Sequence, residues 1–212
     1  MKARFWTITV SLLWSISLAY SQPIKNIGLK AGLAFTNQAW KYSFMDSDLP
    51  TKTRLGLDIG IAVEWLKDSP VTIMTELHFV QKGMKDELIV TTEQYPNGTG
   101  QTIAKQPRVD YLSIPLMAKY TLRFNTIAIC AVAGLRYDLF VSSAGEGFEL
   151  VIDKFRKSEL GGSFGCGAEF TSPFDRTIGL EFRYSPTFQK SYSSQFLTVS
   201  NQSMELLVGI ML

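Results

Sequence analysis

Cysteine and histidine are scarce in this sequence. Its 212 residues hold two cysteines, Cys130 and Cys166, and one histidine, His78. Two cysteines are too few to staple a small secreted scaffold. His78 with Glu76 two residues away falls short of the three or four ligands that a metal site uses. No cofactor or metal is implied. A net excess of either charge is missing too. Setting aside Lys2 and Arg4, which lie in an N-terminal segment discussed next, nineteen basic residues stand against nineteen acidic ones. A near-neutral chain has no electrostatic footprint for nucleic acid. Beyond the N-terminus no apolar run is long enough for a transmembrane helix, the longest being near TIAICAVAGL (126–135).

The N-terminus reads MKARFWTITVSLLWSISLAYSQ. Lys2 and Arg4 form a basic start, Phe5 to Leu18 an apolar stretch, and Ala19-Tyr20-Ser21 a small-x-small cleavage signal. Residues 1–21 therefore read as a cleaved signal peptide, and residues 22–212 as one domain. The apolar run is short for a spanning helix, and the absence of a following cysteine argues against a lipoprotein anchor.

What the exported chain does have is a period of two. Eight segments carry it. The first four are IGLKAGLAFT (27–36), LGLDIGIAVEW (55–65), VTIMTELHFVQK (71–82) and VDYLSIPLMAKYT (109–121). The others are TIAICAVAGLRYD (126–138), ELGGSFGCGAEFT (159–171), TIGLEFRYSPTF (177–188) and QSMELLVGIML (202–212). Each is about the 9–11 residues that a tilted strand needs to cross a bilayer, plus overhang. The connections alternate. Residues 37–54, 83–108, 139–158 and 189–201 are long and polar, whereas 66–70, 122–125 and 172–176 are short. Long loops at one end and tight turns at the other predict an all-β, eight-stranded antiparallel up-and-down transmembrane β-barrel of the outer-membrane type, with both termini on the periplasmic side.

Alternate residues give each strand one apolar face. In the second segment it is Leu55, Leu57, Ile59, Ile61, Val63 and Trp65. The opposite face is glycine and mixed charge. Its charged members are Lys30, Asp58, Glu64, Glu76, His78, Lys119, Arg136, Asp138, Glu169, Glu181, Arg183 and Glu205. A membrane barrel turns its apolar face to lipid and its polar face to the lumen. Eight strands leave a lumen just wide enough for side chains, so these charges are expected to pair as a network. Aromatic belts are expected at both interfaces. Trp65, Tyr120 and Phe170 fall at the periplasmic ends, and Phe35, Phe79, Tyr137 and Tyr184 at the outer ends. By the same parity Cys130 points inward and Cys166 outward, which does not suit a disulfide.

In LSIPLMAKYTL (112–122), Pro115 and Lys119 interrupt an apolar strand. Parity sends both inward with Ser113 and Met117. Lys119 then becomes a lumen charge, and Pro115 predicts a bulge or bend. The stretch YLSIPLMAKY (111–120), with GLKAGLAFTN (28–37), VAGLRYDLF (132–140) and GLEFRYSPTF (179–188), resembles the PorT-like outer-membrane β-barrel family of Bacteroidetes over essentially all of residues 22–212. The resemblance implies a closed antiparallel barrel in the outer membrane and carries no residue-level function. One departure is the final GIML (209–212), where barrels of this kind usually end in an aromatic residue.

The function expected is a monomeric, non-enzymatic anchor and scaffold. Outer-membrane lipid surrounds it, and its outer loops carry any envelope-protein contact. Trp40, Tyr42, Phe44, Tyr95 and Tyr192 are the loop aromatics expected to be exposed for contact. The alternatives are a small porin or translocation accessory, a lipid-modifying enzyme using Ser113 and His78, and a soluble periplasmic barrel of lipocalin type. The glycines of GEG (145–147) lack an evident following helix, so no phosphate cradle is read there. The segment FELVIDKFRKSE (148–159) is expected to be a short loop helix or a strand overhang.

Overall fold

The computed structural model describes residues 24–43, 51–66, 69–90, 94, 96, 100–145, 147–171 and 176–212. Residues 1–21, the signal-peptide reading, lie outside these, as do Phe44 and Tyr95. The described chain is almost entirely strand: β1 (Ile24–Tyr42), β2 (Arg54–Trp65), β3 (Val71–Gly83), β4 (Asp86–Ile89), β5 (Thr102–Lys105), β6 (Arg108–Phe124) and β7 (Ile127–Ala144). After a four-residue helix α1 (Glu149–Ile152) come β8 (Ser158–Thr171), β9 (Thr177–Pro186), β10 (Tyr192–Ser193) and β11 (Leu197–Met211).

Eight of the strands pair in the order β1-β2-β3-β6-β7-β8-β9-β11, each antiparallel to the next, and β1 pairs with β11 to close the ring. The short β10 lies on β11 at the rim, and β4 and β5 make a separate hairpin. The ring is staggered. Successive partners from Phe35 run through Met204, Tyr184, Phe164, Ala133, Ala118, Ile73 and Trp65 and return to β1 at Ile24, well below the start. A closed sheet of tilted strands requires such a shear. The β6–β7 connection is a two-residue hairpin in which Asn125 takes φ 55°, a left-handed value that asparagine tolerates.

Strict alternation decides which side is greasy. Leu57, Ile59, Leu180 and Val208 are 45–52% exposed on the outside, whereas Arg183 and Glu181 are 2% and 8% exposed inside. A water-soluble sheet would bury the first set and solvate the second. The outward row Leu55 to Trp65 is repeated on every strand, so a continuous apolar band girdles the ring. Phe35, Tyr120, Tyr137, Phe170 and Tyr184 are exposed on it, with Phe79 and Trp65 half-buried. The Trp65 indole N–H donates to the Thr75 hydroxyl at 3.0 Å, so its polar edge is satisfied on the outer surface.

Small residues let the ring stay narrow. At Gly60 a Cβ would lie 2.5 Å from the His78 ring, so the missing side chain makes room for the imidazole.

Pro115 behaves differently from the bulge expected there. Its ladder with β3 is interrupted, resuming at Thr75↔Leu116 after His78↔Ser113, but the register is kept. The side facing β7 is continuous through Pro115↔Arg136. The missing N–H therefore costs one gap, and the bulge falls instead between Asp110 and Tyr111.

The strands also run further into the loops than the alternation suggests. β1 continues to Tyr42, β7 to Ala144, and β11 starts at Leu197. The segment at 148–159 supplies α1.

Candidate functional site

Among the described residues, chemistry-bearing side chains converge on the inward face of the ring. Parity puts them there: residues two apart on one strand share a face, and the closed sheet brings eight such rows together. All the candidate lumen charges named from the sequence point inward. All are buried except Glu169, whose side chain is 17% exposed.

Near the short-turn end, Lys119 is gripped by Glu64 and Glu169. Glu64 also accepts from Asn26 at 3.0 Å and lies 3.5 Å from Lys25. One layer up, the Arg183 guanidinium grips Glu76 with both terminal nitrogens, at 2.5 and 2.8 Å, and Glu181 with Nε at 2.5 Å. Lys30 bridges the same two carboxylates at 2.8 and 2.7 Å. This two-cation, two-anion box is the centre of the lumen. A fork such as Arg183 matches a carboxylate in two parallel bonds, which is why a guanidinium sits at the middle of the box.

His78 stands beside the box. Its Nδ1 is 2.5 Å from Asp58. Its Nε2 lies 3.2 Å from Glu76 without hydrogen-bonding geometry. Ser113 is its register partner on β6, and its hydroxyl makes no hydrogen bond with the described residues. Above them Arg136 lies 3.1 Å from Asp138 and 3.5 Å from Glu205, and Lys82 donates to Asp138 at 2.6 Å. Glu205 also accepts from Ser185 and Ser203.

The sequence reading missed the uppermost polar layer. Lys82 and Glu159 are as buried as the charges it named, at 1% and 0% exposure. Lys82 shares parity with Glu76 and His78, which was signal enough to find it. Glu159 opens its strand, where parity is hardest to assign. Its carboxylate accepts from the Tyr111 hydroxyl at 2.9 Å and from Asn201 at 3.2 and 3.3 Å. The chain of bonds continues from Gln38 to Asn201 at 3.0 Å and from the Trp40 indole to Gln38 at 3.2 Å.

Trp40 also overturns an expectation. It is no exposed loop aromatic: it is 2% exposed, because β1 extends past Asn37 and carries Trp40 inward. It belongs to an apolar cluster with Met84, Val109, Tyr111, Ile152, Phe155, Leu197 and Val199. Tyr42 and Tyr192 pack against this cluster and are half-buried, so they too are structural at least in part. Phe148 meets Trp40 edge-on at 5.4 Å between ring centres. Together with α1 these side chains cap the lumen at the long-loop end. A helix thus does follow the glycines at 145–147. The Glu149 carboxylate accepts from the Gly147 N–H at 2.9 and 3.0 Å, so that donor serves the loop itself.

Among the described residues the lumen holds small cavities. One of about 20 Å³ is lined by Lys30, Glu64, Cys130, Glu169 and Glu181 among others. Another of about 10 Å³ lies between His78, Ser113, Arg136 and Glu205. Each is about the size of a single water. Among the described residues no group of three or more His, Cys, Asp or Glu is placed to hold a metal ion. Cys130 is buried in the lumen and Cys166 exposed on the outer surface, both as free thiols.

A lumen of paired charge inside a jacket of exposed leucine and isoleucine is the arrangement of a strand-built membrane protein, and the sequence comparison agrees. The family model described as "Outer membrane protein beta-barrel domain" matches residues 20–193. The chain belongs to that family.

As an outer-membrane β-barrel protein it is similar in fold to OprG from Pseudomonas aeruginosa. That match has a TM-score of 0.50 at 7% identity, covering 89% of this chain and 96% of that one. Neisserial surface protein A gives a TM-score of 0.44 at 10% identity, over 87% of this chain and 96% of that one. Outer membrane protein W of E. coli gives 0.41 at 12%, over 87% and 96%. No curated protein matches the sequence.

Proposed function

We propose that this barrel is a non-conducting, non-enzymatic membrane anchor of the PorT-like kind, monomeric in the outer membrane of a Bacteroidetes cell. Both termini face the periplasm, and the long loops face out as a scaffold for an envelope protein. The observation that carries the reading is the filled lumen. Ion pairs occupy its length, the cavities are water-sized, and the Trp40 cluster closes the long-loop end. A charge buried in that interior without its partner is costly, so the pairs favour a closed structural network over a path for ions.

The same burial supports the absence of catalysis. His78 and Ser113 are 2% and 1% exposed, behind the ring wall and beneath the cap. The tight turn at Asn125 and the long excursions at the other end support the orientation, since periplasmic turns of such barrels are short.

Single-channel recording of the purified chain in planar bilayers tests the reading. No steps above the bare-membrane noise are expected. Stable openings from the wild type would replace the anchor with a small porin or translocation accessory. Protease added to intact cells should cut within the long loops and spare the termini.

A further inference from the structure

Pro115 lines the smaller of the two lumen cavities, about 10 Å³, with Asp58, His78, Ser113, Arg136 and Glu205 among others. The cavity therefore lies against the gap that Pro115 leaves in the β3–β6 ladder, where the last pair before the interruption is His78↔Ser113.

Four buried polar atoms at this level have no hydrogen-bond partner among the described residues: His78 Nε2, Ser113 Oγ, Arg136 Nε and Asp138 Oδ1. Register brings them together. His78 on β3 pairs with Ser113 on β6, and Ser113 pairs with Asp138 on β7. Arg136 stands two residues before Asp138 on the same inward face. The four residues are 0–3% exposed. Other atoms of the same groups are already held, His78 Nδ1 by Asp58 and Asp138 Oδ2 by Lys82, so the side chains are not free to turn elsewhere. Carboxylates do lie near two of the atoms. Glu76 is 3.2 Å from His78 Nε2, and Asp138 Oδ2 is 3.1 Å from Arg136 Nε, but neither contact has the angles of a hydrogen bond. Buried polar atoms left in that condition are destabilising, and folded proteins usually satisfy them.

Size, charge and hydrogen-bonding pattern identify the ligand. A cavity of this volume admits one water molecule. Its wall sets the carboxylates of Asp58 and Glu205 against the guanidiniums of Arg136 and Arg183, which favours a neutral molecule over an ion of either sign. Arg136 Nε–H can only donate and Asp138 Oδ1 can only accept, while the Ser113 hydroxyl and the imidazole can do either. Water supplies two donors and two acceptors.

We propose that this cavity is a binding site for a single water molecule, a fixed constituent of the lumen that bridges β3, β6 and β7 beside Pro115. The water replaces, through side chains, part of the cohesion that the interrupted ladder lacks. The inference rests on the closed ring and not on the anchor reading.

The test is a crystal structure of the full chain in detergent, grown with bromide in place of chloride. Oxygen-17 magnetic relaxation dispersion, which counts long-lived internal waters in solution, accompanies it. A density peak within hydrogen-bond reach of Ser113 and Arg136 is expected, without an anomalous bromide signal. Ser113→Val fills the cavity and removes a partner. Provided that it still shows the heat-dependent gel shift of a folded barrel, this variant should hold one long-lived water fewer than the wild type.

A dry cavity in the wild type would overturn the proposal. So would an unchanged water count in folded Ser113→Val. An anomalous bromide peak at the site would overturn it as well, making the cavity an anion site. If Ser113→Val does not fold, the wild-type density decides alone.

Discussion

Two stretches of the same inward face carry opposite chemistry. From Glu64 up to Glu205 the lumen is built of charge: Lys119 between two glutamates, the Arg183–Lys30 box, and Arg136 with Asp138. From Trp40 to Phe155 it is built of hydrocarbon and rings. The strands are continuous through both. What changes is the surroundings. In the lower part the outward face is already apolar, so the inward residues are the polar half of a two-sided strand. At the loop end the outward positions of β1 become Asn37, Ala39 and Lys41, and the inward ones become the core of an ordinary small fold. Charge lines the ring for most of its height and an apolar cluster fills its loop end, the inward face changing character near Gln38.

The difference predicts two modes of failure. Arg183→Met strikes the charged part hardest. It leaves Glu76 and Glu181 to share Lys30 alone, and an uncompensated buried carboxylate costs on the order of 3–5 kcal/mol. Urea titration in detergent, followed by the gel shift of the folded barrel, should show the whole ring losing stability. A midpoint within error of the wild type would mean that the box is not structural.

Trp40→Ala should cost about 3 kcal/mol of local packing, the usual penalty for emptying a buried aromatic site. Here the ring should survive. Hydrogen exchange should rise at α1 and at the Leu197 end of β11 while the strand centres stay protected. Equal loss of protection everywhere would erase the distinction between cap and barrel.

The smallest effect is expected at Glu149. The backbone hydrogen bond from Gly147 holds its carboxyl below the ordinary glutamate range. A lowered folded pKa stabilises above the unfolded value and fades as pH falls through the folded one. Docking of α1 should thus loosen slightly on acidification below the normal glutamate range. Trp40 fluorescence in a Trp65→Phe background reports it, and Glu149→Gln should flatten that response.

How much of this was legible in the residues follows the same division. Within the apolar band two periodicities coincide, outward aliphatic and inward charged, so the side of Lys119, Arg183 or Glu205 could be read from its neighbours. Past Asn37 the outward signal vanishes, and an alternation of polar and aromatic residues looks like a loop. That is why Trp40 was read as exposed and why Lys82 and Glu159 escaped notice at strand ends. Partner choice was beyond parity altogether. It decides that Lys30 faces inward, but only the ring's shear decides that it meets Glu181, 151 residues away. The bulge beside Tyr111 was invisible for a similar reason: no proline or glycine marks it.

The seam between β1 and β11 has a consequence for folding. Gly28 pairs with Met211 and Tyr42 with Leu197, so β1 keeps one unmatched edge until β11 is in place. Loop closure over nearly the whole polypeptide makes this the slowest kind of contact to form. Until that seam forms, the sheet keeps an open edge and its apolar face has no closed ring behind it.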